Sequence, residues 1–207
     1  MFTYLRILLA LLLVVQPGTS FPVETSNEPK GVPIELKIVN LAEEAHELDS
    51  RGDLVFQFQE SIRRGEKNGQ RISSSRVEMA MEIKNTGSTP IQIWVSGDTT
   101  LLTLILEGNG AMTAETKPSP TKEVIAPETI TIAAGKSHQI PLNQLAYGFR
   151  NQSTYAYITE TGIYKLSATF RTGVSPSPKG ANPTKQDKFG EVILKSAPLT
   201  FRVVRPS

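Results

Sequence analysis

Few residues of this chain are of the types that do chemistry, and they do not gather. The 207 residues hold two histidines, His46 and His138, and no cysteine. A zinc or copper site needs several imidazole, thiolate or carboxylate ligands converging, which two scattered histidines do not supply. A serine nucleophile needs a positioned base, and no Gly-x-Ser-x-Gly elbow occurs. Neither a phosphate loop nor a dinucleotide fingerprint is present, and "GEKNG" (Gly65–Gly69) is a turn. Adjacent acids such as Glu43 and Glu44 are common on surfaces. "DSRGD" (Asp49–Asp53) lacks the ligand pattern of a calcium loop. The expectation is a protein that is not an enzyme and uses no cofactor and no metal.

Residue types suited to recognition are denser. "AYGFRNQSTYAY" (Ala146–Tyr157) gathers Tyr147, Phe149, Arg150, Tyr155 and Tyr157. Aromatic faces give apolar contact area, and an arginine adds a charge-assisted bond. The same group equally suits a loop pinned over the end of a sheet. Trp94 joins the candidates. It falls out of phase with Ile91 and Ile93, so it packs under a loop on the second face or faces solvent as a contact residue. "RGD" (Arg51–Asp53) and the glycosylation acceptor "NQS" (Asn151–Ser153) are short matches that chance supplies often; Gly52 has a plain use as a turn before "LVFQF".

The elements that must carry these residues are strands. Val77, Met79, Met81 and Ile83 fall on every second position, with Glu78, Glu82 and Lys84 between them. A strand sends alternate side chains to opposite faces, so the four form one buried face. "NTGSTP" interrupts the pattern, where Asn and Gly tolerate positive φ and Pro90 cannot donate to a ladder. "IQIWV" resumes it, so Arg76–Lys84 and Pro90–Val95 read as a hairpin or as neighbouring strands. Alternation recurs at Ile34–Val39, Leu54–Gln59, Leu102–Leu106, Ile130–Ile132, Ser137–Leu142, Tyr164–Phe170 and Leu199–Val203. The best helical candidate, Leu41–Leu48, amounts to a short turn. Ser61–Ser75 reads as a polar hairpin tip. Ala111–Glu128 and Thr172–Gly190 hold six of the fourteen prolines and read as exposed loops. Eight or nine short strands with Gly, Pro and Asn at the breaks predict an all-β antiparallel sandwich with long Pro-rich loops.

"MFTYLRILLALLLVVQPGTS" places Arg6 before an apolar run, Ile7–Val15, then Gln-Pro and small residues, the layout of a secretory signal peptide. Nine residues at about 1.5 Å each fall short of the ~30 Å hydrocarbon core. Residues 1–20 are therefore read as a cleaved signal, 21–32 as a linker and 33–207 as a single domain. No membrane span is expected after cleavage, and the product is secreted or periplasmic. The formal charge of +2 drops to about +1 without Arg6, so nucleic acid gains no electrostatic case. A domain of this size can bury enough surface to dispense with disulfides.

"MEIKNTGSTPIQIWV", "ITIAAGKSHQIPL", "TETGIYKLSATFRT" and "GEVILKSAPLTFRVV" together resemble the Ig-like sandwich domains of exported bacterial proteins, over about Val77–Val204. A fainter likeness, on "NTGSTPIQIWV" alone, is to a bacterial proteinase-inhibitor sandwich domain. The first resemblance implies a binding or scaffolding module with a protein or glycan partner at the cell envelope. The second implies a proteinase inhibitor, though none of that family's contact loop is recognisable here; the Pro-bearing loops Ala111–Glu128 and Thr172–Gly190 are the candidates for a rigid inhibitory loop. In either case Tyr164 is placed to bury its ring and bond its hydroxyl at a sheet corner.

Overall fold

The computed structural model describes residues 32–42, 46–47, 74–115, 124–149, 152–185 and 188–205. The signal segment, all of the linker but Val32, the RGD tripeptide, the expected strand Leu54–Gln59 and Asn151 lie outside the described residues.

The described chain is extended nearly throughout. Its strands are β1 (Ile34–Asn40), β2 (His46–Glu47), β3 (Arg76–Asn85), β4 (Ile91–Ser96), β5 (Leu101–Gly108), β6 (Ala111–Glu115) and β7 (Glu128–Ile132). They continue as β8 (Ser137–Gln144), β9 (Ala146–Phe149), β10 (Gln152–Ile158), β11 (Gly162–Ser175), β12 (Asn182–Pro183), β13 (Gly190–Lys195) and β14 (Leu199–Val204). One layer is the antiparallel sheet β1–β3–β8. The facing layer is built around β11, whose fourteen residues are flanked on both sides by broken strands. β14 pairs with its first half and β13 with its second. On the opposite edge β5 pairs with Tyr164–Arg171 and β4 with Val174 and Ser175. β7 adds to the outer edge of β4. This is an Ig-like β-sandwich, with the order β1–β3–β8 facing β7–β4/β5–β11–β13/β14.

Alternation places the core between the layers. Val77, Met79, Met81 and Ile83 of β3 meet Ile91 and Ile93 of β4, Leu104 of β5 and Tyr164, Leu166, Ala168 and Phe170 of β11 in one buried cluster. β3 and β4 are thus neither a hairpin nor neighbours in a sheet. Each shows its apolar face to the other, so the chain crosses between layers at residues 86–90. Asn85 makes the crossing, and by its side chain. Its Nδ2 donates to Thr89 O (2.8 Å) and Ile132 O (3.0 Å), and its Oδ1 accepts from Gly87 N (2.9 Å). Gly87 suits the tight space here: a Cβ would come within 3.1 Å of Pro33, so the proline ring would have to give way slightly.

The glycine turn after β7 is also a crossing, since β7 pairs with β4 and β8 with β3. Three further expectations change. Ala111–Glu115 of the first Pro-bearing loop is a strand. The second loop begins only after Ser175, because Thr172, Gly173 and Val174 are buried in β11. Within the helical candidate, His46–Glu47 is extended and pairs in parallel with β14.

A small third sheet, β6–β10–β9, hangs from one end of the sandwich. It joins the first layer through Ser75, whose amide donates to Ala156 O and whose carbonyl accepts from Leu145 N. The chain enters it at Gly108–Gly110 and leaves at Thr159–Thr161. Tyr164 locks both passages: its ring is fully buried on Phe201, and its hydroxyl donates to Glu160 O (2.7 Å), with Asn109 O as a second acceptor.

Candidate binding surfaces

The tyrosine-rich segment folds as the hairpin β9–β10, and its pleat divides the aromatic group. Tyr147 stands directly opposite Thr154, which in turn stands opposite Glu115. Tyr147 is half-buried and packs against the core, while Glu115 at the far end of the row is exposed. Its phenol is held above the ordinary range, first by burial and then by the Glu115 carboxylate, with the Thr154 hydrogen bond opposing. Tyr155 and Tyr157 point to the other face. There Tyr155 lies between Ala114 and Ala146, and Tyr157 lies opposite Met112. Tyr157 is only 3% exposed, and its pKa is pushed up to about 12 by burial and then by Tyr155. Phe149 closes β9 at the backbone level; its side chain and all of Arg150 lie outside the described residues. The hairpin therefore brings Tyr155 and Tyr157 together and sets Tyr147 on the opposite face.

Trp94 is in the other sheet and takes the packed alternative. It is 3% exposed and stacked on Phe189, with ring centroids 4.9 Å apart. Its indole lies over Gly173, where a Cβ would sit 2.4 Å from the ring. The Thr172 hydroxyl, buried on the core side of β11, donates to the Trp94 carbonyl (2.6 Å). The indole Nε1 is buried and has no hydrogen-bond partner among the described residues.

The outer face of the β5–β11–β13 sheet presents residues that the search for aromatics passed over. Tyr164, Leu166, Ala168 and Phe170 point inward, so Lys165, Ser167, Thr169 and Arg171 point outward. Arg171 is flanked by Leu101 on β5 and Ile193 on β13. Thr169 lies between Thr103 and Lys195, Ser167 beside Ile105, and Lys165 between Glu107 and Thr200. Ile105 is 51% exposed and Ile193 47%. The Arg171 Nε is buried without a hydrogen-bond partner, and no ion pair neutralises the guanidinium among the described residues. Glu191 is its diagonal neighbour across the ladder, and the two form no ion pair. The signal for this face lay in the phase of the isoleucines: Ile105 and Ile193 occupy positions that alternation assigns to water.

No family model matches the chain, and no curated protein matches it. Among solved structures it is similar to the ASH / PapD-like domain of human CEP192 (PapD-like domain 7), at 8% identity and a TM-score of 0.27, over 93% of this chain and 100% of that one. A score that low adds nothing to the strand order, on which the Ig-like assignment rests.

Proposed function

We propose that this chain is an exported, non-catalytic module that binds a protein of the cell envelope through the outer face of β5–β11–β13. The observation that carries the reading is the pair Ile105 and Ile193, half-exposed on the outer sheet face on either side of β11. Aliphatic side chains at sheet positions normally given to polar residues mark contact surfaces. The face favours a protein over a glycan, because its exposed large apolar side chains are aliphatic, and Trp94 is buried with the Phe189 ring stacked on it. Export rests on the N-terminal sequence, and the envelope setting on the likeness to exported bacterial sandwich domains.

The test is retention of bacterial envelope proteins on immobilised mature chain. The double variant Ile105→Asp/Ile193→Asp should lose retention while its thermal midpoint holds. Retention that survives this variant but is lost on replacing Tyr155 would move the site to the β9–β10 hairpin.

A second reading, an exported proteinase inhibitor, has one observation in its favour. Val124 and Ile125 are 70% and 58% exposed, and the Ile125 backbone is fixed at both ends by Asp98. The Asp98 amide donates to Ile125 O (3.0 Å), and the Asp98 carboxylate accepts from Ile125 N (3.2 Å). A protruding apolar pair on a fixed backbone costs little ordering on docking. Stoichiometric inhibition of one member of a protease panel, abolished by Ile125→Asp, would establish it.

A further inference from the structure

Resting on the reading of the β5–β11–β13 face as the contact surface, we propose that its partner is a protein presenting an aspartate or glutamate among apolar side chains, with Arg171 as the anchor. Arg171 is central by position: it stands on the middle strand, in one row with Leu101 and Ile193. Its Nε is desolvated and, among the described residues, without an acceptor. An arginine in such a setting has lost part of its hydration and gained no counter-charge, which is unfavourable in the free protein. A carboxylate docking on the guanidinium supplies the missing charge and a planar pair of acceptors. Apolar side chains around that carboxylate would cover Leu101, Ile105 and Ile193 and exclude water, which strengthens the pair.

Charge favours such a partner over a second copy of the chain. The outer rows carry the cations Lys165, Arg171 and Lys195 against the carboxylates Glu107 and Glu191. Self-association joins two net-cationic faces, whereas an acidic partner complements one. Glu191, diagonal to Arg171, is the internal carboxylate that a partner must outcompete, and it forms no ion pair with the guanidinium.

The probes are two synthetic twelve-residue peptides of alternating Leu and Thr, one with a central Asp and one with a central Asn. Each is titrated into isotopically labelled mature chain, and amide shifts are followed residue by residue. The Asp peptide should shift residues 101–107, 165–171 and 191–195. It should bind about tenfold more tightly than the Asn peptide, a gap that narrows with added salt. Arg171→Gln should remove the difference between the two peptides, and Arg171→Lys should restore only part of it. Equal binding of the two peptides to the wild-type chain overturns the proposal, as does a preference that survives Arg171→Gln. Concentration-dependent dimerisation lost in Ile105→Asp assigns the face to a second copy and also overturns it. The outcomes separate the two levels. If envelope retention depends on Ile105 and Ile193 but not on Arg171, the contact face stands and the acidic partner falls. If retention ignores the isoleucines, the face itself falls.

Discussion

Tyr164 shows how one side chain can serve two purposes. Its ring completes the core beside Phe201, and its hydroxyl closes the corner where β10 passes into β11. Tyr164→Phe keeps the ring and removes the hydroxyl, leaving the carbonyls of Glu160 and Asn109 short of a donor. We expect a loss of about 1–2 kcal/mol, read as a lower urea midpoint with an unchanged slope. An unchanged midpoint would show that water replaces the phenol at no cost. Burial, the largest cause in each case, also raises the pKa of Tyr147, Tyr157 and Tyr164. A raised phenol pKa means the folded state favours the protonated form. Its contribution is therefore complete below the ordinary value of 10.0 and is lost as pH climbs towards the folded value, about 12 for Tyr157. Stability should fall across that alkaline interval. Tyr157→Phe should make the fall shallower, measured as the urea midpoint against pH. A variant that declines as steeply as the parent would place the alkaline sensitivity elsewhere.

At the scale of elements, the strand β11 organises its layer, and the small residue Gly173 lets an aromatic ring lie flat on it. An added Cβ would come within 2.4–2.7 Å of three indole atoms of Trp94. Gly173→Ala should therefore lift the indole away from the sheet and from Phe189, at a cost of about 1–3 kcal/mol. Trp94 is the sole tryptophan, so its emission reports this alone. We expect a red shift and stronger acrylamide quenching, and an unmoved spectrum would contradict the seating. Much of this layer was legible in sequence. Period-two alternation placed Tyr164, Leu166, Ala168 and Phe170 inward, and likewise Leu199, Phe201 and Val203. Pairing was less legible. Alternation tells which face is buried but not which strand lies alongside, so β3 and β4 read as neighbours although they face each other across the core. Proline content misread Ala111–Glu115 as loop, because the prolines of that stretch begin only at Pro118. The tyrosines of Ala146–Tyr157 were visible as a group, but only the turn and register of β9–β10 decide that Tyr147 and Tyr155 take opposite faces. Arg171 gave no signal at all, since an outward arginine on a strand is ordinary until its neighbours are known.

Across the whole molecule the question is what holds two layers together in a chain with no cysteine. Apolar burial supplies the driving force but is indifferent to small slips of one sheet over the other. Register between the layers needs directional contacts, and Asn85 provides them where they are strongest, in a site with no solvent exposure. It belongs to β3 in one layer and donates to Ile132 O on β7 in the other. Its backbone amide donates to Lys136 O, and its carbonyl accepts from Gly135 N, so the turn from β7 to β8 is fixed to the same residue. Asn85→Ala removes three side-chain hydrogen bonds and orphans the carbonyls of Ile132, in a buried site, and of Thr89, in a part-buried one. With each bond worth about 1 kcal/mol and a further penalty for the orphaned acceptors, the expected loss is about 2–4 kcal/mol. Asn85→Asp should be no better, because a carboxylate cannot donate to either carbonyl and burial disfavours its charge. Both variants should unfold at lower denaturant while keeping strand content by circular dichroism. Amide hydrogen exchange should show the loosening at residues 86–90 and 132–137 before the centre of β11. If exchange instead rises evenly across both sheets, the layers are held by the core alone and Asn85 is only a local turn residue.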